Sequence, residues 1–331
     1  MADTERRLEN AVDASTPQPG IFQPGEPVSV TTPGGDQGPE REFTVKARNQ
    51  FQIVVRRFFR HKLAVGSLVV FLLLFGLAFF GPRFWHYNYA DLTSDYSQGP
   101  SLKHPMGTDG IGHDMLAQVL RGAQKSCQIA LLVALISTTF GTVMGAIAGY
   151  FKGWVDQAIA RFTDLLLTIP LIAILAVLSE KVAAKAGNWF YVALIIAALS
   201  WMSICRVVRG VFLSLREKEF VEAARALGAS DRRIIFRHLI PNAAGPIIVN
   251  ATLTVAIAIL VETALSYIGF GVHLPDTSLG LLVQQGSGAA QSRPWLFYFP
   301  GLYIILIALT INFVGDGLRD AFDPTQTRVR A

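Results

Sequence analysis

The sequence is poor in charge: only 16% of its 331 residues are Asp, Glu, Lys or Arg, whereas 51% are hydrophobic. A chain this apolar, with a mean hydropathy of +0.40, cannot enclose its hydrophobic residues in one soluble core. The bilayer must therefore be part of its solvent. The net charge of +5 does not indicate nucleic acid as a partner, because the basic residues lie between apolar runs rather than along one stripe.

Cysteine and the common catalytic motifs are also scarce. The two cysteines, Cys127 and Cys205, lie in or beside apolar runs, which excludes a disulfide framework and argues against a thiolate metal site. The sequence has no GxxxxGK[ST], HExxH or GxSxG motif and no cluster of Cys and His. It therefore predicts a non-enzymatic chain with no catalytic residue, no metal and no cofactor of its own.

Both ends of the sequence read as tails. Residues 1–45 are rich in Pro, Gly, Thr and acidic residues, which predicts a disordered cytoplasmic tail, and residues 326–331 form a short C-terminal one. The first apolar run begins only at Leu63, and no short hydrophobic segment with a cleavage site precedes it. We expect no cleaved signal peptide and one membrane domain over residues 46–325.

Six stretches within that domain are long and apolar enough to cross a bilayer, which takes about 20 residues. They are 63–80, 129–150, 159–178, 189–205, 243–268 and 295–315. The fourth runs directly into Arg206 and Arg209, so its helix should continue beyond the membrane. The predicted fold class is an all-α polytopic membrane protein with six transmembrane helices.

The distribution of Lys and Arg sets the orientation of these spans. The segments on the side of the N-terminus hold 19 of the 29 basic residues, the opposite segments hold seven, and the tail holds the remainder. Both termini are therefore expected in the cytoplasm. The outer loops are then 81–128, 179–188 and 269–294, and the long inner loop is 206–242.

Small residues repeat in the second span. Gly141, Gly145, Gly149 and then Gly153 recur every four residues, which exposes bare backbone on one helical face. This spacing is typical of a helix-packing seam, with a glycine-lined substrate path as the alternative. Upstream, residues 114–121 have the pattern of an amphipathic helix lying on the outer membrane surface before the second span.

Ionisable residues inside apolar runs are functional candidates, because charge is costly to bury in hydrocarbon. Asp164 and Glu262 are of this kind. Arg161 lies three residues before Asp164, which favours a local ion pair between them. Glu262 is expected near the solvated outer interface. Alternatively, Asp164 and Glu262 are the ion sites of a secondary transporter.

The inner loop has a pattern of its own. Glu219 to Leu227 are strong helix formers, Gly228 suits a left-handed C-terminal cap, and Ser230 can cap a second helix from 231 to about 240. Pro241 then restarts the chain toward the fifth span. The sequence predicts a short helix-turn-helix that projects into the cytoplasm, with a basic loop lying on anionic lipid as the alternative.

This loop resembles the signature of ABC importer permeases, which is EAA, three residues, Gly, nine residues and then I-x-L-P. Glu222, Ala223 and Ala224, then Gly228 and Pro241, match it at the right spacing. His238 and Ile240 depart from it, standing where the signature has Ile and Leu. The resemblance implies that the first helix is a coupling helix which docks on a cytoplasmic ATPase.

Further motifs are similar to the C-type subunit of dipeptide and oligopeptide importers. They are His104 to Asp109 with Gly112 and Asp114, Tyr150 to Asp156, Asp164 to Pro170, and Gly315 to Asp320 followed by Asp323 and Pro324. His113 and Leu279 depart from that pattern, where Arg and Trp are usual.

That resemblance implies the type I importer permease fold in a bacterial inner membrane. The partners it implies are a second, B-type permease, two ATPase domains or subunits that use MgATP, and an extracytoplasmic peptide-binding protein. This chain would then form half of the pathway for the peptide.

Overall fold

The computed structural model describes residues 50–186 and 189–323. The predicted tails at 1–45 and 326–331 and the end of the second outer loop lie outside these residues. The helices are α1 (Gln50–Arg60), α2 (Lys62–Phe84), α3 (Met115–Phe151), α4 (Gly153–Thr168), α5 (Leu171–Ala186), α6 (Trp189–Leu215), α7 (Glu219–Ala226), α8 (Asp231–Arg233), α9 (Ile240–Tyr267), α10 (Leu279–Ser287) and α11 (Trp295–Phe322). A π-helical segment, Ile234–Leu239, joins α8 to α9.

Five of these elements are long and apolar enough to cross a membrane: α2, α3, α6, α11 and the continuous helix Asp231–Tyr267. A sixth is obtained if α4 and α5 are two halves of one bent span. Within the described ranges the only β pairing is a single bridge between Thr108 and Asp114. The predicted all-α membrane fold is confirmed.

The third span is not the single helix predicted over 159–178. Its axis turns by 86° between Gly153–Thr168 and Leu171–Lys181. Pro170 causes the break, because a residue before proline avoids the helical region and Ile169 has extended backbone with ψ 133°.

The second span begins earlier than predicted. The expected surface helix at 114–121 and the span at 129–150 form one helix, α3, of 37 residues. Asp114 caps it, with its carboxylate accepting from the backbone N–H of Ala117 at 2.8 Å. Residues 122–128 contain no proline to end the helix, so the two predicted segments fuse.

The fifth span also starts earlier than the predicted residue 243. Pro241 does not begin a new helix but lies inside a continuous one, Asp231–Tyr267. A π turn precedes it, in which the Ile240 N–H bonds the carbonyl of Ile235. A proline has no N–H to donate and crowds the carbonyl four residues back, and a wider turn accommodates both effects. Helical structure therefore continues from Asp231 through the end of α9.

The α3 and α6 helices meet backbone to backbone. A Cβ built on Gly141 or Gly145 would lie 2.6 or 2.5 Å from the carbonyl oxygens of Trp201 and Cys205. At Gly149 it would lie 2.6 Å from Cβ of Phe212. Gly153 does not extend this seam, because it has a φ of +65° and forms the turn into α4.

Candidate functional site

The loop between α6 and α9 is built around α7. Glu219 and Glu222 lie in the first turn of this helix and Arg225 in its last, as the helix dipole favours. Gly228 follows with a φ of +76°. The Ala229 N–H bonds the Ala224 carbonyl at 3.0 Å and the Gly228 N–H bonds the Arg225 carbonyl at 2.9 Å. These two bonds form a Schellman cap, which stops α7 sharply.

One face of α7 packs on the bundle. Val221 and Ala224 are buried in a cluster with Phe212 of α6, Ala146 of α3 and Ile234 of the following helix. Of the three residues in the Glu-Ala-Ala motif, only Ala224 points inward. Glu222 and Ala223 are exposed, so the outer face of α7 is available to another protein.

Large apolar side chains are exposed on this loop. Leu227 is 87% exposed and Phe236 62% exposed, and Phe220 is also exposed. Charged residues surround them on the same loop: Glu219, Glu222, Arg232, Arg233 and Arg237. We name the exposed residues Phe220, Glu222, Leu227 and Phe236 the coupling surface. Exposed apolar side chains of this size mark protein contact sites in otherwise charged surroundings.

Tyr150, at the end of α3, joins three parts of this loop. Its hydroxyl donates to the carboxylate of Asp231 in α8, and its ring faces the guanidinium of Arg225 in α7 at 5.6 Å. The linker residue Arg216 bonds the Tyr150 carbonyl. Sequence reasoning did not single out Tyr150, although it opens one of the stretches that carried the family resemblance.

Two ion pairs fasten the neighbouring helices. Arg209 of α6 forms a bidentate pair with Asp156 of α4, and one of its two bonds is 2.8 Å long. Lys152 meets Glu217 at 2.6 Å, which ties the turn between α3 and α4 to the end of α6. The nearby Lys152 ammonium lowers the pKa of the Glu217 carboxyl. The end of α3, the start of α4 and the end of α6 are thus linked.

The predicted pair of Arg161 and Asp164 is absent. Asp164 instead pairs with Arg206, which reaches it from α6, and both side chains are about half exposed. A contact between two helices replaces the local one, because α4 lies against α6. Arg161 has no ionic partner within the residues described.

Glu262 is not solvated at the outer interface, as the sequence had suggested, but fully buried. Its carboxylate accepts from the hydroxyls of Ser126 on α3 and Ser266 on α9, at 2.8 and 2.7 Å. In the described part of the chain no Lys or Arg pairs with it. Asp164 pairs with Arg206 and Glu262 with two serines, so the structure does not bring the two acids into one ion site.

The segments 81–128 and 269–294, which the sequence predicts to be outer loops, are both fastened to the start of α3. His104 is fully buried, with Nδ1 2.7 Å from Asp114 and Nε2 3.2 Å from Asp95. Hydrogen bonds from Lys103 and then His104 lower the pKa of the Asp95 carboxyl. In the last outer loop, Asp276 pairs with Arg121 and Lys125 at 3.0 and 2.9 Å.

The described part of the chain contains no cluster of side chains that could bind a metal ion. Across residues 50–186 and 189–323 no three His, Cys, Asp or Glu side chains are grouped to hold an ion. Cys127 and Cys205 are both buried and unbonded to each other.

Two protein-family models match the sequence of this chain. Residues 141–328 match a family model described as the binding-protein-dependent transport system inner membrane component, and residues 49–105 match the N-terminal TM domain of oligopeptide transport permease C. The chain belongs to the first of these families. The matched region holds α6, α7 and the coupling surface.

Relatives extend the match over most of the chain. The oligopeptide transport system permease protein OppC of Mycobacterium bovis is 46% identical over 281 residues, which are 84% of this chain and 96% of that protein. The dipeptide transport system permease protein DppC of Alkalihalophilus pseudofirmus is 38% identical over 288 residues, covering 86% of this chain and 93% of that one.

A solved structure shares the fold at low sequence identity. A chain of the MetNI methionine ABC transporter in an inward-facing form superimposes with a TM-score of 0.55 at 17% identity, covering 63% of this chain and 98% of that one. The predicted type I importer permease fold is confirmed.

Proposed function

We propose that this chain is the C-type permease subunit of an ATP-driven importer of oligopeptides or dipeptides. The 46% identity to an oligopeptide permease along nearly its whole length carries the proposal. In the assembled importer it forms half of the pathway beside a B-type permease. The two partner ATPases bind and hydrolyse MgATP, an extracytoplasmic binding protein delivers the peptide, and this chain itself catalyses nothing.

In this proposal the membrane is the bacterial inner membrane, with both termini in the cytoplasm. The inward charge bias supports that orientation, since the basic residues cluster on the side of α1 and the α7 loop. The outer loops, which Asp114 and Asp276 fasten to α3, then face the binding protein.

The coupling surface is the docking site for an ATPase. When the ATPases close on ATP, they displace α7, whose buried residues Val221 and Ala224 press on the ends of α3 and α6. These two helices move as one body, because the glycine seam packs them too closely to slide independently. Rigid movement of the pair shifts the bundle between inward-open and outward-open states.

Two substitutions on the coupling surface test this role. Glu222→Ala removes a charge and Leu227→Ser removes a large apolar side chain. Both side chains are exposed, so neither substitution should disturb the packing of the fold. We expect a tagged, doubly substituted chain to reach the membrane but to recover little ATPase on co-purification from native membranes. Leu102→Ser is the matched control, since Leu102 is fully exposed in an outer loop.

The wild-type complex provides the wider test. Recovery of two ATPase polypeptides or domains, a second permease and a binding protein, with peptide-stimulated ATP hydrolysis, agrees with the proposal. An ATPase-free homo-oligomer that takes up solute on an ion gradient would contradict it and favour a secondary transporter.

A further inference from the structure

The helix that precedes the first span has two distinct faces. α1 carries Arg56, Arg57 and Arg60, and Lys62 opens α2 one residue after His61. Apolar residues alternate with these cations along the same eleven-residue segment. A basic amphipathic helix beside a span is the pattern of an element that lies at the membrane interface.

The inner face of α1 is fixed to the bundle. Phe58 is buried against Ala64 of α2 and Ala321 of α11, and the guanidinium of Arg57 donates to the Asp323 carbonyl at 3.0 Å. His61 caps α2, its Nδ1 accepting from the Ala64 N–H at 3.1 Å. The helix is therefore held in one orientation, so its other face has a defined position.

The outer face combines free cations with exposed apolar side chains. Arg56, Arg60 and Lys62 are exposed and have no ionic partner among the side chains that the structure describes. Phe59 is 63% exposed beside them. Leu63 is also exposed, and it begins the outward stripe of α2.

The exposed stripe of α2 is the main indication of what the outer face of α1 meets. Val69, Leu72 and Leu73 of α2 are exposed apolar residues of a span, which lipid chains can cover unless a partner helix does. The three cations directly precede the apolar run of α2, so they lie at the level of the phosphate groups when that run spans the hydrocarbon. Basic residues at this level are attracted to anionic headgroups, while an apolar neighbour such as Phe59 enters the acyl boundary.

We infer that Arg56, Arg60 and Lys62, with Phe59, form a binding site for the phosphate of an anionic phospholipid headgroup. Charge complementarity and continuity with the lipid-facing stripe of α2 favour lipid over an acidic protein surface. The importer would then retain phosphatidylglycerol in preference to a zwitterionic lipid of the same chains.

The test uses the full-length chain purified with its co-expressed partners. Native mass spectrometry measures how many phosphatidylglycerol and phosphatidylcholine molecules the complex retains from an equal mixture. We expect the triple variant Arg56→Gln, Arg60→Gln, Lys62→Gln to lower the ratio of the two lipids about fivefold or more, since each cation contributes to the attraction. Arg56→Lys with Arg60→Lys keeps the charge and should keep the ratio.

Arg83→Gln is the matched control, because it removes a cation from the opposite end of the same helix, α2. An unchanged ratio in the triple variant, or an equal fall in the Arg83 variant, overturns the lipid site. So does an unchanged lipid ratio with lost ATPase subunits, which would assign the face to a protein partner. Thermal melting of each variant shows that a changed ratio does not reflect unfolding.

Discussion

The hydroxyl of Tyr150 donates a hydrogen bond to the carboxylate of Asp231, across 81 residues of sequence. Tyr150 lies in the last turn of α3, a candidate membrane span, and Asp231 begins the second helix of the loop between α6 and α9. The bond therefore links the surface proposed to receive an ATPase to a helix that crosses the bilayer. The ring of Tyr150 also faces the guanidinium of Arg225 in α7 at 5.6 Å. Displacement of α7 or α8 therefore acts on α3.

Tyr150→Phe should uncouple ATP hydrolysis from peptide without unfolding the chain. The variant keeps the ring that faces Arg225 and loses one hydrogen bond to a carboxylate, at a cost of about 1.5–3 kcal/mol. We expect peptide-stimulated ATPase activity of the complex to fall several-fold, while its basal activity stays near wild type. Tyr298→Phe is the control, since Tyr298 is exposed and lies far away in α11. Equal stimulation in both variants would show that the bond plays no part in coupling.

Gly228→Val tests the cap of α7. Nothing lies within 4 Å of an added Cβ, so the substitution clashes with no neighbour and acts through the backbone alone. A left-handed φ costs a β-branched residue about 1–2 kcal/mol, which favours continuation or fraying of α7. We predict normal expression, with ATPase recovery on co-purification reduced several-fold.

Gly228→Asn provides the comparison, because asparagine adopts the left-handed region more readily than valine. It should retain most of the ATPase recovery. If the valine variant recovers as much ATPase as wild type, the shape of this turn does not matter for docking.

Hydropathy and helix propensity predicted the helical class and the helix α7 with its cap at Gly228, because each depends on a local property of the chain. The predictions that failed depend on tertiary contacts. Asp164 pairs with Arg206 of another helix rather than with Arg161. Glu262 is buried because serines on α3 and α9 satisfy it, and no pattern near Glu262 in the sequence shows that Ser126 will face it.

Backbone details at prolines were also missed, for a different reason. Pro170 breaks its span, whereas Pro241 lies inside a continuous helix after a π turn. The residue type is the same, but Ile169 before Pro170 has extended backbone, whereas the residues before Pro241 form a π turn that accommodates it. The role of Tyr150 was hidden in the same way, since its partners lie far along the chain.

Gly145→Ala should destabilise the pair of α3 and α6. The added methyl would lie 2.5 Å from the Cys205 carbonyl oxygen, a backbone atom that cannot rotate away. Overpacking of this kind costs about 1–3 kcal/mol, so we expect a lower melting temperature in detergent. Gly66→Ala is the control, because nothing lies within 4 Å of that position on α2 and alanine is the better helix former. Its melting temperature should be unchanged or slightly higher.

Two substitutions of Glu262 test whether its carboxyl is structural or part of an ion-transport site. Glu262→Gln keeps the shape and still accepts a hydrogen bond, so ATP-dependent peptide uptake in proteoliposomes should stay within about twofold of wild type. Glu262→Ala leaves the hydroxyls of Ser126 and Ser266 without this acceptor, which costs about 1–3 kcal/mol and should lower the melting temperature. A protonophore should not reduce ATP-driven uptake by either the wild type or the glutamine variant. Loss of uptake in the glutamine variant at an unchanged melting temperature would instead indicate that the ionised carboxyl takes part in transport.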